Sequence, residues 1–146
     1  MSSDVAKLRE ITGAGMMDCK RALDAAGGDL EKAKQIVQEQ GVLKAEKKSV
    51  RKTGAGILES YIHNNRIGVL LELQAETDFV VRSQPFKALA KDLAMQISAT
   101  NPESVEELLK QPFIKDESLT VEQLVKNFIA RVGENIRVER FCRYEL

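Results

Sequence analysis

The chain has 146 residues, enough for one ordinary domain or for a small module joined to a larger one. Its 22 basic and 22 acidic residues balance, so overall charge favours neither nucleic acid nor an anionic membrane as the partner. No apolar run is long enough to span a bilayer and the first residues do not resemble a signal peptide, so we expect a cytoplasmic protein.

Residues 1–41 are predicted to form three short amphipathic helices. Ser3 is a candidate cap for the first helix, which should break at Gly13. The second should end at the Gly27–Gly28 pair, and Asp29 is a candidate cap for the third, which we expect to stop at Gly41. This length is near the lower limit for independent folding, so the pattern indicates a small helical module.

Residues 42–56 differ in character and are predicted to form a basic linker or a partly helical connection. They contain five cations against the single acid Glu46 and end in a glycine-rich stretch, Thr53–Gly56. A patch for nucleic acid is the alternative, and the absence of interleaved aromatic residues disfavours it.

Residues 57–146 are predicted to form a core that begins with a hairpin. Strands at 57–63 and 67–74 flank a turn that contains two asparagines, a residue type that tolerates positive φ. The next helix should start at Ser83 or Gln84, with Pro85 in its first turn.

The second half of this core is predicted to add helices and a last strand. Asn101 is expected to end one helix and to cap another, and residues 112–118 are expected to form a loop. Thr120 and Gln123 have the spacing of a capping box for a helix that ends at Gly133 and buries Leu124, Phe128 and Val132. A β-branched run at 136–144 should then join the hairpin, with a bulge between Val138 and Phe141. The predicted fold class is α+β: a three-helix bundle followed by a small antiparallel three-stranded sheet packed with helices.

Few residues in the chain could carry catalytic chemistry. His63 is the only histidine, and the sequence contains no phosphate-binding glycine motif and no nucleophile elbow. Cys19 and Cys142 fit no metal-ligand spacing, so we expect reduced thiols, no metal and no cofactor. The pattern favours a binding protein over an enzyme.

Two short stretches are candidates for contact with a partner. Thr77 to Val80 lies where a predicted strand gives way to a helix, a position from which side chains can reach a partner. From residue type alone, Phe79 would more often be an ordinary core aromatic. Adjacent positions on a helix point about 100° apart, so one of Met16 and Met17 should face inward and the other should be an exposed contact residue.

The chain resembles the elongation factor Ts family over essentially its whole length. Three segments carry the resemblance: 12–20, 77–80, and 133–136 leading into Arg140 and Phe141. The resemblance implies a guanine-nucleotide exchange factor for elongation factor Tu, whose N-terminal module is of the ubiquitin-associated type. The resemblance also implies that longer members contain a second core subdomain, which we expect this chain to lack.

The resemblance also implies which residues contact elongation factor Tu. Phe79 would insert between two helices of the partner near its Mg²⁺ site, with Asp78 beside it, so that GDP is released. The full set of implied contacts is Arg9, Met16, Met17, Lys20, Lys48, His63, Thr77, Asp78, Phe79, Val80, Val132 and Gly133. Short members are expected to form homodimers through the core sheet, with His63 supplied by the second copy and a Cys142 disulfide as a minor variant.

Two other functions stay open at this point. The helical module alone would suit a ubiquitin-associated-type adaptor, which should bind its partner through residues 1–41. The basic linker would suit a ribosome-associated or RNA-binding factor, whose affinity should fall steeply with salt.

Overall fold

The computed structural model describes residues 2–146, with side chains from residue 3 onward. Three helices begin the chain, and strands and helices follow in a mixed order. In chain order they are α1 (Ser2–Thr12), α2 (Met16–Ala25), α3 (Leu30–Lys48), β1 (Ala55–His63), β2 (Ile67–Ala75), α4 (Asp78–Val81), α5 (Gln84–Thr100), α6 (Val105–Lys110), β3 (Pro112–Phe113), β4 (Asp116–Thr120), α7 (Val121–Val132) and β5 (Ile136–Glu145). None of the helices among these residues is long and apolar enough to cross a membrane.

The first three helices pack around a small core of their own. Its buried side chains are Leu8, Cys19, Ala22, Leu23, Ala33 and Val37. Asp29 caps α3 as predicted, because its carboxylate accepts hydrogen bonds from the amides of Glu31 and Lys32. The predicted N-terminal three-helix bundle is confirmed.

The predicted helix end at Gly41 is wrong, because α3 continues to Lys48. Gly41 is buried, and a Cβ placed on it would lie 3.3 Å from the Cβ of Ala130 on α7. The missing side chain lets two helices approach closely, and this packing outweighs the cost of about 1 kcal/mol that glycine carries in a helix. Residues 42–48 of the predicted linker are therefore helical, while the division at 1–41, 42–56 and 57–146 stays a prediction.

A three-stranded antiparallel sheet with the order β1-β2-β5 forms the centre of the core. Asn64 and Asn65 adopt φ values of 51° and 57° in the predicted hairpin turn. Opposite β2, Glu72 pairs with Arg140 and Leu73 with Val138, so Glu139 is the extra residue of a bulge. The predicted bulge and the α+β fold class are both confirmed.

One face of the sheet packs against α5 and α7. Alternate residues of β2 are buried there, together with the inward stripe of α5. These side chains include Val69, Leu71, Leu73, Phe86, Leu89, Leu93 and Ile97. On α7 the buried residues are Val121, Val125 and Ile129, whereas the predicted core residues Leu124, Phe128 and Val132 are only half-buried at the side of the same stripe. The predicted buried stripe of α7 is therefore wrong by one residue, because Val125 and Ile129 are buried in place of Leu124 and Phe128.

Local signals fixed several helix ends correctly. Ser83 caps α5 with Pro85 in its first turn, and Thr120 and Gln123 form the predicted capping box of α7. Asn101 ends α5 in the left-handed conformation, but the cap of α6 is Ser104 and not Asn101, because the hydroxyl of Ser104 accepts the Glu107 amide at 3.1 Å.

The predicted loop at residues 112–118 is instead part of a short hairpin, β3 and β4. The buried Gln96 side chain of α5, which is distant in sequence, contacts this hairpin directly. Its amide donates to the carbonyl of Pro112 at 3.1 Å, and its oxygen accepts from the amide of Ile114 at 2.9 Å. Sequence patterns around residue 112 carry no signal of this contact.

Candidate partner-binding surfaces

The stretch that contains Phe79 forms the single-turn helix α4. Thr77 is its N-cap, and the Thr77 hydroxyl accepts a hydrogen bond from the amide of Val80 at 3.4 Å. Val80 and Val81 are buried in the core, whereas Phe79 is 87% exposed. The interpretation of Phe79 as a core aromatic is therefore wrong, and Val80 serves as an anchor beneath the exposed aromatic ring.

A pair of polar residues after α7 holds the beginning of α4. The carboxylate of Glu134 accepts from the Thr77 amide at 3.0 Å and from the Thr77 hydroxyl at 2.7 Å. In the opposite direction, the carboxylate of Glu76 accepts from the Asn135 amide at 2.9 Å. The Asn135 side chain also donates to the carbonyl of Arg51 at 2.8 Å, so three segments meet here.

Glu134 and Asn135 were not among the residues predicted to have a role of their own. The only signal was their position directly after the helix-ending Gly133, in a segment that resembles the family. Gly133 has a φ of 76° and forms the left-handed cap of α7, which places Val132 and Gly133 beside the residue that holds Thr77. The structure therefore brings the predicted residues at 77–80 and 132–133 together.

A second group of predicted residues lies on the N-terminal module. Arg9, Met16 and Lys20 line a cavity of about 370 Å³ between α1 and α2. Met16 and Met17 are 57% and 56% exposed, so the prediction that one of them faces inward is wrong. The buried side of α2 begins one turn later, at Cys19, and this leaves both methionines at the surface.

The module contacts the core through Arg131 on α7. The Nε of Arg131 donates to the carbonyl of Thr12 at 3.0 Å, at the end of α1. Gly13 follows with a φ of +72°, and a Cβ on it would lie 2.7 Å from the same nitrogen. Both groups of predicted contact residues are thus tied to the last turn of α7.

The remaining two predicted residues are His63, at the end of β1, and Lys48, at the end of α3. His63 is exposed at the hairpin turn, where its Nδ1 is 2.9 Å from the Tyr61 hydroxyl. The length of β2 separates it from the α4 end of the sheet by roughly 27 Å, at about 3.4 Å per residue. Lys48 is the half-buried last residue of α3.

The face of the sheet that points away from the helices is uncovered. We call it the open sheet face; its apolar residues are Leu58, Ile62, Leu70, Cys142 and Tyr144. The register places Leu70 opposite Cys142, and Tyr144 is 78% exposed. Arg140 bonds to Glu72 at 2.8 Å on the same face and holds the pKa of that carboxyl below its ordinary value. An apolar patch of this kind typically marks an interaction surface.

The described residues show no arrangement suited to a resident metal. Among residues 2–146, no group of three or more His, Cys, Asp or Glu side chains could hold a metal ion. Cys19 is buried and Cys142 exposed, and both thiols are free. The exposed apolar side chains described above are candidates for contact with another macromolecule.

Comparison with known proteins places the chain in a family. The family described as Elongation factor TS matches residues 8–107 and 76–146. Elongation factor Ts of Desulforamulus reducens is 41% identical over 99% of this chain and 88% of its own length. The chloroplastic elongation factor Ts of Cyanidioschyzon merolae is 43% identical over 100% of this chain and 93% of its own length.

A third relative is much longer, and all the alignments exceed the chain in length. The chloroplastic EF-Ts polyprotein of rice is 42% identical over 97% of this chain, which spans only 17% of that polyprotein. The three alignments extend over 188 to 195 positions, so each relative contains residues with no counterpart among these 146. Since the family match and these identities cover nearly the whole sequence, the chain belongs to the elongation factor Ts family.

Proposed function

We propose that this chain is a guanine-nucleotide exchange factor that binds elongation factor Tu with GDP and promotes GDP release, without catalytic chemistry of its own. Family membership supports the general assignment. The observation that carries the mechanism is Phe79, a large apolar side chain held 87% exposed on a capped and anchored turn. Such a side chain can enter a partner without any loss of packing in its own core.

The exchange step follows from the chemistry of Mg²⁺. The ion requires near-ideal octahedral oxygen geometry, so an aromatic wedge that displaces the groups around it lowers its affinity. Loss of the ion leaves the nucleotide phosphates less neutralised, and GDP dissociates faster. The coupling is reciprocal, so a nucleotide that rebinds lowers the affinity of the partner for this chain and ejects it.

The N-terminal module is proposed to anchor the complex. Arg9, Met16, Met17 and Lys20 form an exposed surface of cations and adaptable thioethers around a shallow cavity. The proposed core contacts are Asp78 and Phe79, with Thr77, Val80, Val132 and Gly133 beside them, and Lys48 at the end of α3 is a further proposed contact. Replacement of Arg9 and Lys20 by alanine should weaken the complex while the maximal rate of GDP release changes less.

A second copy of this chain is the proposed occupant of the open sheet face. Three strands leave that face uncovered, and its exposed leucine, isoleucine and tyrosine side chains suit burial against the same surface of a partner copy related by a two-fold axis. The strands also place His63 far from Phe79 within one chain. In a dimer, one copy could offer Phe79 and the other His63 to the same elongation factor Tu.

Release of a fluorescent GDP from elongation factor Tu tests the proposal directly. The chain should accelerate release at micromolar concentration, and an unlabelled nucleotide in excess should dissociate the complex. Release at the intrinsic rate would refute exchange activity. Binding to RNA that weakens steeply with salt, or capture of a partner by the module with no effect on GDP, would instead support one of the two alternative functions.

A further inference from the structure

We propose that Glu134 is a positioning residue for exchange, which fixes the direction of Phe79 through the hydroxyl of Thr77. The inference rests on the proposed function, since it concerns the side chain that would enter the partner. It is carried by the hydrogen bonds that join Glu134 to Thr77 across 57 residues of sequence.

The hydroxyl of Thr77 takes part in two hydrogen bonds: it donates its single proton in one and accepts in the other. Its proton goes to the Glu134 carboxylate at 2.7 Å, which leaves a lone pair directed to the amide of Val80 at 3.4 Å. The Thr77 amide donates to the other oxygen of the same carboxylate at 3.0 Å. Glu134 therefore orients the cap of α4 and fixes the backbone that precedes it.

An external support of this kind matters because α4 has only four residues. A single helical turn is not stable by itself, since nucleation fixes several residues for one hydrogen bond. Val80 and Val81 hold the turn from the core side, and Glu134 holds its beginning. Phe79 lies between these two supports, and in the free chain its own ring is packed against little else.

The reciprocal bond from the Asn135 amide to Glu76 keeps Glu134 in register with Thr77. The distance is 2.9 Å, and it joins the residue after Glu134 to the residue before Thr77. Two neighbouring residues of one segment thus bind two neighbouring residues of the other. This arrangement leaves Glu134 little freedom to move away from the cap.

The test compares Glu134→Ala and Glu134→Gln in the full chain, with Glu117→Ala as the matched control. Glu117 is an exposed acid on β4 that forms no ion pair within the described residues. Hydrogen exchange of the free chain should show the Val80 amide exchanging about tenfold faster in Glu134→Ala, with an unfolding temperature within about 4 °C of wild type. Glu134→Gln keeps an acceptor for the Thr77 amide but lacks the second acceptor for the hydroxyl, so its effect should be intermediate.

Exchange kinetics distinguish a positioning role of Glu134 from a purely structural role, because only a positioning role makes the effect of Glu134→Ala depend on Phe79. Glu134→Ala should lower the maximal rate of GDP release several-fold, and in a Phe79→Ala background it should have no further effect, because Glu134 acts through Phe79. An unchanged Val80 amide in Glu134→Ala, or an equal loss of activity with and without Phe79, would overturn the proposal. Failure of the proposed function is distinguishable, since wild type would then not accelerate release while the amide measurement on the free chain still reports on the cap.

Discussion

Replacement of Phe79 by alanine separates a partner-inserted side chain from a core side chain. Phe79 is 87% exposed in the free chain, so nearly all of its apolar surface is available for burial in a complex. Burial of a phenylalanine contributes about 1.5–3 kcal/mol, and truncated hot spots cost about 2 kcal/mol or more. A loss of about 2 kcal/mol corresponds to roughly thirtyfold in affinity or rate.

The same substitution should leave the free protein almost unaffected. An exposed side chain contributes little packing, and alanine has a higher helix propensity than phenylalanine, so the free energy of unfolding should change by no more than about 0.5 kcal/mol. Thermal unfolding measures the change in the free energy of unfolding. Release of fluorescent GDP from elongation factor Tu measures the loss of affinity or rate. Ile114→Ala is the control, because Ile114 is exposed on the β3–β4 hairpin near the C-terminal part of α5, whereas Phe79 precedes the start of that helix.

Two outcomes would refute the reasoning. A Phe79→Ala protein that releases GDP at the wild-type rate would show that the ring is not the wedge. A protein that unfolds at a clearly lower temperature would show that the ring stabilises the fold.

Three further predictions concern other parts of the structure. Leu70→Asp places a charge at the centre of the open sheet face and should prevent the dimer from forming. Sedimentation equilibrium should then give a mass near the 16.3 kDa of one chain for the variant and twice that value for wild type. A wild-type mass of 16.3 kDa under reducing conditions would exclude the dimer. Lys44 bonds to Asp18 at 2.7 Å and lowers the pKa of that carboxyl, so the stabilisation is present above the unfolded pKa of about 3.9 and is lost as pH falls through the lower folded value. Wild type should therefore unfold at a higher temperature than Lys44→Met at pH 7, and this difference should shrink progressively as pH falls below about 4, while Lys47→Met should show no such dependence. Gly41→Leu should lower the unfolding temperature by several degrees, because its Cβ would already lie 3.3 Å from a side chain of α7; an unchanged temperature would mean that the two helices can separate freely.

Short-range patterns were sufficient for much of the fold. The caps at Asp29, Ser83 and Thr120 were predictable because each depends on residues within one helical turn. Hydrophobic alternation and turn residues likewise predicted the three-stranded sheet and its bulge. Features of this kind are decided by local chemistry, which a single sequence displays.

The errors lie where distant residues decide the structure. The sequence pattern predicts that Gly41 ends a helix. In the structure its lack of a side chain allows close contact with Ala130 of α7, which is distant in sequence. The hairpin at 112–120 depends on Gln96, and a buried glutamine within an amphipathic helix does not reveal its partner. The same reason applies to the candidate site. The signature around Phe79 was recognisable, but the contact between Thr77 and Glu134 spans 57 residues, and the sequence pattern did not predict it.

The uninterrupted α3 has a mechanical consequence for any partner that touches both ends of the molecule. A flexible linker would let the module and the core search for their contacts independently, and each would bind with its own entropy cost. Here the helix crosses α7 at close range and Arg131 fastens the end of α1, so the distance between the two surfaces is set when the chain folds. If one partner binds both surfaces as proposed, its two contact sites must match a fixed separation, and a change in the partner's shape that alters this separation would weaken one of the two contacts.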